Sequence, residues 1–251
     1  MTNNLIFLCI ICFFSAVVDS ISGGGGIISL PAFLLMGIPP HLALGTNKFT
    51  SCCSTLSSPI KFTQSKKVDF KILKYLLPFS FIGATLGANV VLSIKSHYLN
   101  VIVLILLLFV GLYSLFSKNI GLEDKFKHIS PKNICLGIIL ALSLGFYDGF
   151  LGAGVGTFLI FGLVSIYKFD FVRASGNCKI MNFIGNVASV LVFAIRGEIN
   201  YKIGIPIALC MIIGANLGTR IALMKGSKLI KPIFITMSLT VAVKLLYSMV
   251  L

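Results

Sequence analysis

The chain has 251 residues, 57% of them hydrophobic and 11% charged, and a formal net charge of +14. Its mean hydropathy is +1.02. Soluble chains are about 45–50% apolar and about 25% charged, so a water-soluble globule is excluded and a polytopic membrane protein is expected. The basic excess does not imply nucleic acid, because no recognition motif accompanies it and the lysines gather in short connecting segments, as cytoplasmic membrane loops do.

In chain order, apolar segments are predicted at about 4–22, 26–38, 43–62, 70–94 and 98–117. A polar connector follows at 118–132. Five more segments lie at about 133–149, 153–167, 174–195, 201–223 and 229–250. They are expected to be helices. Lipid requires backbone groups to be paired within the segment, and runs such as VIVLILLLFVGLYSLF (101–116) lack the alternation of a barrel strand. Residues 1–22 have neither a basic start (MTNN) nor a small-x-small cleavage site, so a first helix is expected there rather than a signal peptide. All seven cysteines fall in apolar segments. Cys9 and Cys12 form a CxxC without a nearby histidine or second pair, which reads as packing; no metal or cofactor is expected.

The chain repeats itself. VDFKILKYLLPFSFIGATLGANV (68–90) aligns without gaps with INYKIGIPIALCMIIGANLGTRI (199–221), placing Gly83 on Gly214 and Gly87 on Gly218. The same offset puts ALGTNK (43–48) on ASGNCK (174–179), and a shift of two residues puts DSISGGGG (19–26) on DGFLGAGV (148–155). The expected organisation is a first transmembrane repeat over 1–117, the connector at 118–132, and a second repeat over 133–251. Pro31 and Pro59 have no counterpart, so the halves are not identical.

The second segment of each half is short. About 12–15 helical residues rise roughly 18–22 Å, against a hydrocarbon core near 30 Å. Whether the first two segments tilt across or form a dipping hairpin, the chain returns to its starting side, each half crosses an odd number of times, and the repeats point in opposite directions. Inversion then gathers thirteen basic residues on one side (Lys66, Lys67, Lys71, Lys74, Lys118, Lys125, Lys127, Lys132, Lys168, Arg173, Lys225, Lys228 and Lys231) against Lys95, Arg196 and Lys202 on the other. Parallel halves divide them more evenly. The fold class expected is an all-α polytopic protein of two inverted repeats with helices interrupted at the glycine motifs. It would be multi-pass in the cell (inner) membrane, with both termini outside and the connector cytoplasmic.

Inverted repeats with broken helices are a signature of secondary transporters. A helix starting just after a glycine run offers free N–H groups and a partial positive charge, and glycine lets a ligand reach the backbone. Gly23, Gly24, Gly25 and Gly26, with Gly152, Gly154 and Gly156 opposite, are therefore expected to cradle an anion. Close helix packing is the competing role for such small residues, and it is the role favoured for Gly83, Gly87, Gly214 and Gly218. Asp19 and Asp148 precede the two breaks; they are candidates for binding a coupled proton or cation, or for capping the short helices. Lys48 and Lys179, with Thr46, Asn47, Ser175 and Asn177 beside them, suggest a polar wall around an anionic substrate; snorkelling to the interface is the alternative for the lysines. Asn182 and Asn186 share a helix face with Cys178 and either line the same cavity or bond between helices.

VDSISGGGGIISLPAFLLMGIPPHLALGTNK (18–48), YDGFLGAGVGTFLIF (147–161) and ASGNCKIMNF (174–183) resemble signatures of the TauE/SafE family of sulfite-exporter-like membrane proteins. The resemblance covers nearly the whole chain and implies transport of sulfite, sulfonates or related small organic acids across the plasma membrane. Ala153 and Val155 stand where more glycine- or proline-rich versions occur, which implies a less symmetric second cradle.

The expected function is secondary transport, as an exporter, of a small anion by alternating access around a mid-membrane site. A passive anion channel, or a Na⁺-coupled carrier using Asp19 and Asp148, is the alternative. An enzyme is not expected, since no HExxH, paired histidine or nucleophile motif is present. The partners expected are a small anionic substrate and the lipid bilayer, not nucleic acid; a homodimer is left open.

Overall fold

The computed structural model describes residues 2–95, 98, 99, 124, 126 and 130–225. The predicted fifth segment of each half and most of the connector lie outside the described residues. Among the described residues the protein is all-helical: α1 (Thr2–Ser22), α2 (Gly26–Leu35), α3 (Pro40–Thr55), α4 (Ser57–Gln64), α5 (Phe70–Ser93), α6 (Pro131–Phe150), α7 (Val155–Tyr167), α8 (Phe171–Ile195) and α9 (Tyr201–Lys225). Five of them, α1, α5, α6, α8 and α9, are long and apolar enough to cross a membrane, whereas α2 and α7 are shorter apolar helices. Their outer faces carry bare apolar side chains, including Phe7, Ile10 and Phe14 on α1 and Ile205, Leu209 and Ile213 on α9. Water would penalise such faces at about 25 cal/mol per Å²; lipid does not.

Helix boundaries follow local chemistry. The Asp69 carboxylate accepts from the Lys71 N–H at the start of α5, Asp170 accepts from the Arg173 N–H at the start of α8, and Ser130 accepts from the Asn133 N–H at the start of α6, each taking up a donor that a helix start leaves unpaired. The predicted segment 43–62 is not one helix. It divides at Leu56 into α3 and α4, because Pro59 has no N–H to donate to Thr55 and its ring crowds that carbonyl. In the second repeat Val190 occupies the matching position, and α8 runs unbroken for 25 residues.

Helices from the two predicted repeats pack against one another. α5 packs on α6, and α9 packs on α1. Both contacts are glycine-lined. A methyl at Gly83 would strike the Leu142 carbonyl and one at Gly87 the Phe146 carbonyl; at Gly214 and Gly218 it would strike the Phe13 and Val17 carbonyls. These are repeat-equivalent contacts, and they give the GATLG and GANLG motifs their packing role. Gly87→Ala should cost about 1–3 kcal/mol through overpacking, read as a lowered melting temperature of the purified protein in detergent.

α8 is the most buried of the five long helices. Two apolar cores flank the centre, one built on Leu30, Phe33, Phe193 and Met211, the other on Leu73, Leu76, Leu163 and Met181. The buried charged residues belong to neither.

Candidate functional site

Asp19 lies in the last turn of α1, and Asp148 in the last turn of α6. Lys48 is on α3 and Lys179 on α8, both buried. Each lysine reaches across to the aspartate of the other half. Lys48 Nζ lies 2.6 Å from Asp148 Oδ1, and Lys179 Nζ 2.8 Å from Asp19 Oδ2. These are repeat-equivalent pairs with their partners exchanged. Isolated charges at this depth would be costly; paired across the halves they neutralise one another. Neither lysine snorkels to an interface.

The two pairs are dressed differently. Asp19 Oδ1 accepts from the Gly25 N–H at 3.2 Å, at the start of α2. Lys179 Nζ also donates to the Asp19 main-chain carbonyl. Lys48 Nζ makes a long 3.5 Å contact to Asn186 Oδ1, and Asn186 Nδ2 donates to Asn182 Oδ1 at 3.2 Å. Gly185 leaves room for Asp148, because a methyl there would strike Asp148 Oδ2.

α1 ends at Ser22 and α2 begins at Gly26; α6 ends at Phe150 and α7 begins at Val155. The first interval meets the first turn of α7 backbone to backbone. Gly23 has φ +79°, and a methyl on it would lie 2.5 Å from the Gly156 carbonyl carbon; one on Gly156 would lie 2.6 Å from the Gly23 oxygen. Thr157 Oγ1 donates to the Ser22 carbonyl at 3.3 Å. Gly24 is different: a methyl there would find only ordinary contacts, from 3.7 Å outward. Gly152, at φ +76°, leaves space into which Lys48 Nζ projects, and Gly154 precedes α7 in a left-handed conformation.

A polar hollow adjoins these intervals. Of the residues singled out from the sequence, Asp19, Gly25, Gly26, Asn47, Lys48, Asp148, Gly152, Asn182 and Asn186 line it. Gly23, Gly24, Gly154, Gly156 and Lys179 are not among its lining residues. Thr46 and Asn177 are occupied elsewhere: Thr46 Oγ1 accepts from the Asn200 N–H and Asn177 Oδ1 from the Asp69 N–H, both at 2.9 Å. They pin the loops that lead into α9 and α5. The Ser175 hydroxyl is buried without a partner among the described residues, outside the hollow's lining. About 30 Å³ of the hollow is open to water-sized molecules, room for about one or two waters.

Ser15, Ser29, Ser51, Ser54, Thr55 and Met211 also line the hollow and were not anticipated. A signal for part of this set exists in the sequence. Asn47, Lys48, Ser51, Ser54 and Thr55 recur at helical spacing along one face of α3. The repeat offset carries that stripe onto Cys178, Lys179, Asn182, Gly185 and Asn186 of α8. Polar stripes on α3 and α8 thus bring Lys48, Asn182 and Asn186 to one place.

A family model described as "Sulfite exporter TauE/SafE" matches residues 8–245. A "Probable membrane transporter protein" of Haemophilus influenzae is 35% identical over 97% of this chain and 95% of its own length. "Probable membrane transporter protein ORF9" of Sinorhizobium sp is 34% identical, covering 96% and 92%. "Probable membrane transporter protein YfcA" of Escherichia coli K12 is 32% identical, covering 96% and 89%. No solved structure matches the chain at significant similarity. With a family model spanning almost its full length and relatives similar from end to end, the chain belongs to the TauE/SafE family of membrane transporters.

Proposed function

We propose that the protein is a secondary transporter of a small anion, such as sulfite, a sulfonate or a related organic acid, exported across the inner membrane by alternating access of two inverted repeats. The observation that carries this is the exchanged pair of ion pairs, the buried Lys48–Asp148 and the partly buried Lys179–Asp19. Each joins one half to the other, so the cations that would hold an anion are also the ties between the moving parts.

Reciprocal contacts of this kind are what a two-fold relation between halves produces. The thirteen-to-three division of basic residues favours an axis in the membrane plane, with both termini outside and the 118–132 connector cytoplasmic. An anion entering the hollow takes a lysine from its carboxylate, and a proton or cation meets the charge of the released aspartate. Breaking the tie frees the halves to rock, and the reverse exchange on the far side releases both ions. No chemical reaction is assigned to the site.

Asn47 Oδ1 is buried on the hollow wall without a donor among the described residues, which favours a second reading in which Asp19, Asp148 and Asn47 hold Na⁺. Proteoliposomes separate these readings. Saturable uptake of radiolabelled sulfite or a sulfonate, driven by a pH gradient, supports the proton-coupled carrier. Uptake that requires Na⁺ supports the second reading, and large unitary currents in a voltage-clamped bilayer would identify a channel. With a carrier, Asp148→Asn should abolish gradient-driven accumulation, because the group that exchanges the proton is gone.

A further inference from the structure

The two ion pairs are equivalent by repeat but not by surroundings. Lys179 is fully buried and is not among the residues that line the hollow, and only its partner Asp19, 19% exposed, reaches that lining. Two of its donors are committed to one residue, the carboxylate and the main-chain carbonyl of Asp19, and that carboxylate is itself held by the Gly25 N–H. Lys48 lines the hollow beside Asp148, and among the described residues it has, besides that carboxylate, the long contact to Asn186. Around it on the same wall stand Ser51, Asn182 and the buried Asn47. The Asn47 amide oxygen has no donor among the described residues, and the amide can turn to present its N–H groups instead.

Resting on the transport reading, we propose that one substrate anion binds, at Lys48, in the place the Asp148 carboxylate now fills, while Lys179–Asp19 is a strut that fixes the α1–α2 interval and takes no substrate. The Lys48 charge is already matched by the Asp148 carboxylate at 2.6 Å, so the carboxylate and the substrate compete for one ammonium. Asp148 is thereby the residue that sets apparent affinity. Asp19, its counterpart by repeat, is not.

The test is calorimetric titration of the purified protein in detergent with sodium sulfite, alongside thermal melts with and without it. Asp148→Asn removes the competitor and leaves Lys48 a buried cation without a counterion. It should bind sulfite at least about tenfold more tightly than wild type, since 1.4 kcal/mol is a factor of ten. Sulfite should also raise its melting temperature by more than it raises that of wild type, because the anion restores the missing charge. Asp19→Asn and Lys179→Arg should bind sulfite within about threefold of wild type, whatever their stability, and Lys48→Gln should not bind it. Equal tightening in Asp19→Asn and Asp148→Asn, or sulfite binding retained in Lys48→Gln, overturns the assignment while leaving anion transport standing. A wild-type protein that binds none of sulfite, methanesulfonate and acetate overturns the transport reading and this assignment with it.

Discussion

Lys48→Ala should melt well below wild type, destabilised by about 3–5 kcal/mol, because it strands the Asp148 carboxylate in the protein interior. Asp148→Ala should do the same by stranding Lys48. The double variant Lys48→Ala/Asp148→Ala should recover most of the loss, since neither charge then lacks a partner. A buried ion pair in good geometry is worth little net stability against apolar replacement, while half of one is expensive. Thermal melts of the three proteins in the same detergent check this. If the double variant is as unstable as the sum of the singles, the 2.6 Å contact between Lys48 and Asp148 is not the interaction that holds these groups inside.

The second large effect is expected at Gly23. Any side chain there meets the backbone of Gly156 and Thr157 and must also adopt a φ of +79°. Backbone cannot turn aside as a flexible side chain can, so the α1–α2 interval and the first turn of α7 would have to separate. A left-handed conformation adds about 1–2 kcal/mol for a residue with a Cβ, before any packing loss. Gly23→Ala should therefore fail to give a monodisperse protein after extraction. Gly24→Ala, one residue along, meets only ordinary contacts and should extract and melt like wild type. Two neighbouring glycines with opposite outcomes test the backbone crossing more sharply than either alone, and comparable behaviour on size-exclusion chromatography would contradict it.

Much of this was legible in the sequence. Composition required a membrane protein, and five of the predicted apolar segments correspond to the long helices α1, α5, α6, α8 and α9. The repeat singled out Asp19, Asp148, Lys48 and Lys179 before any coordinates. It did not reveal that each lysine takes the aspartate of the opposite half, because an offset identifies equivalent positions and not touching ones. The division of 43–62 at Leu56 was missed although Pro59 had been noticed, since hydropathy averages across a single proline. Thr46 and Asn177 were expected at the substrate. They hold the backbone of Asn200 and Asp69 instead, residues far away in sequence that the fold brings alongside. The stripe Ser51, Ser54 and Thr55 was overlooked because hydroxyls that bond back to their own helix hardly lower its apolar character: Ser54 and Thr55 both donate to the Ser51 carbonyl.

The glycine motifs divide into two physical roles. Gly83, Gly87, Gly214 and Gly218 let helices touch, as small residues do in lipid where no hydrophobic force draws helices together. Gly23 and Gly156 let the α1–α2 interval pass against the first turn of α7. The N–H of Gly25, expected to meet a ligand, meets Asp19. The protein thus supplies its own carboxylates where an anion would sit, and displacing one of them is the step on which the proposed transport cycle depends.

The most direct measurement is sulfite counterflow in proteoliposomes loaded with unlabelled sulfite. Wild type and Lys48→Ala/Asp148→Ala would be compared at equal reconstituted amounts after matching melts establish that both are folded. Wild type is expected to accumulate external label transiently and saturably, and the charge-free double variant to accumulate no more than empty liposomes. Equal counterflow in the two proteins would contradict the account, because the anion would then cross without the buried lysine and aspartate that define the site.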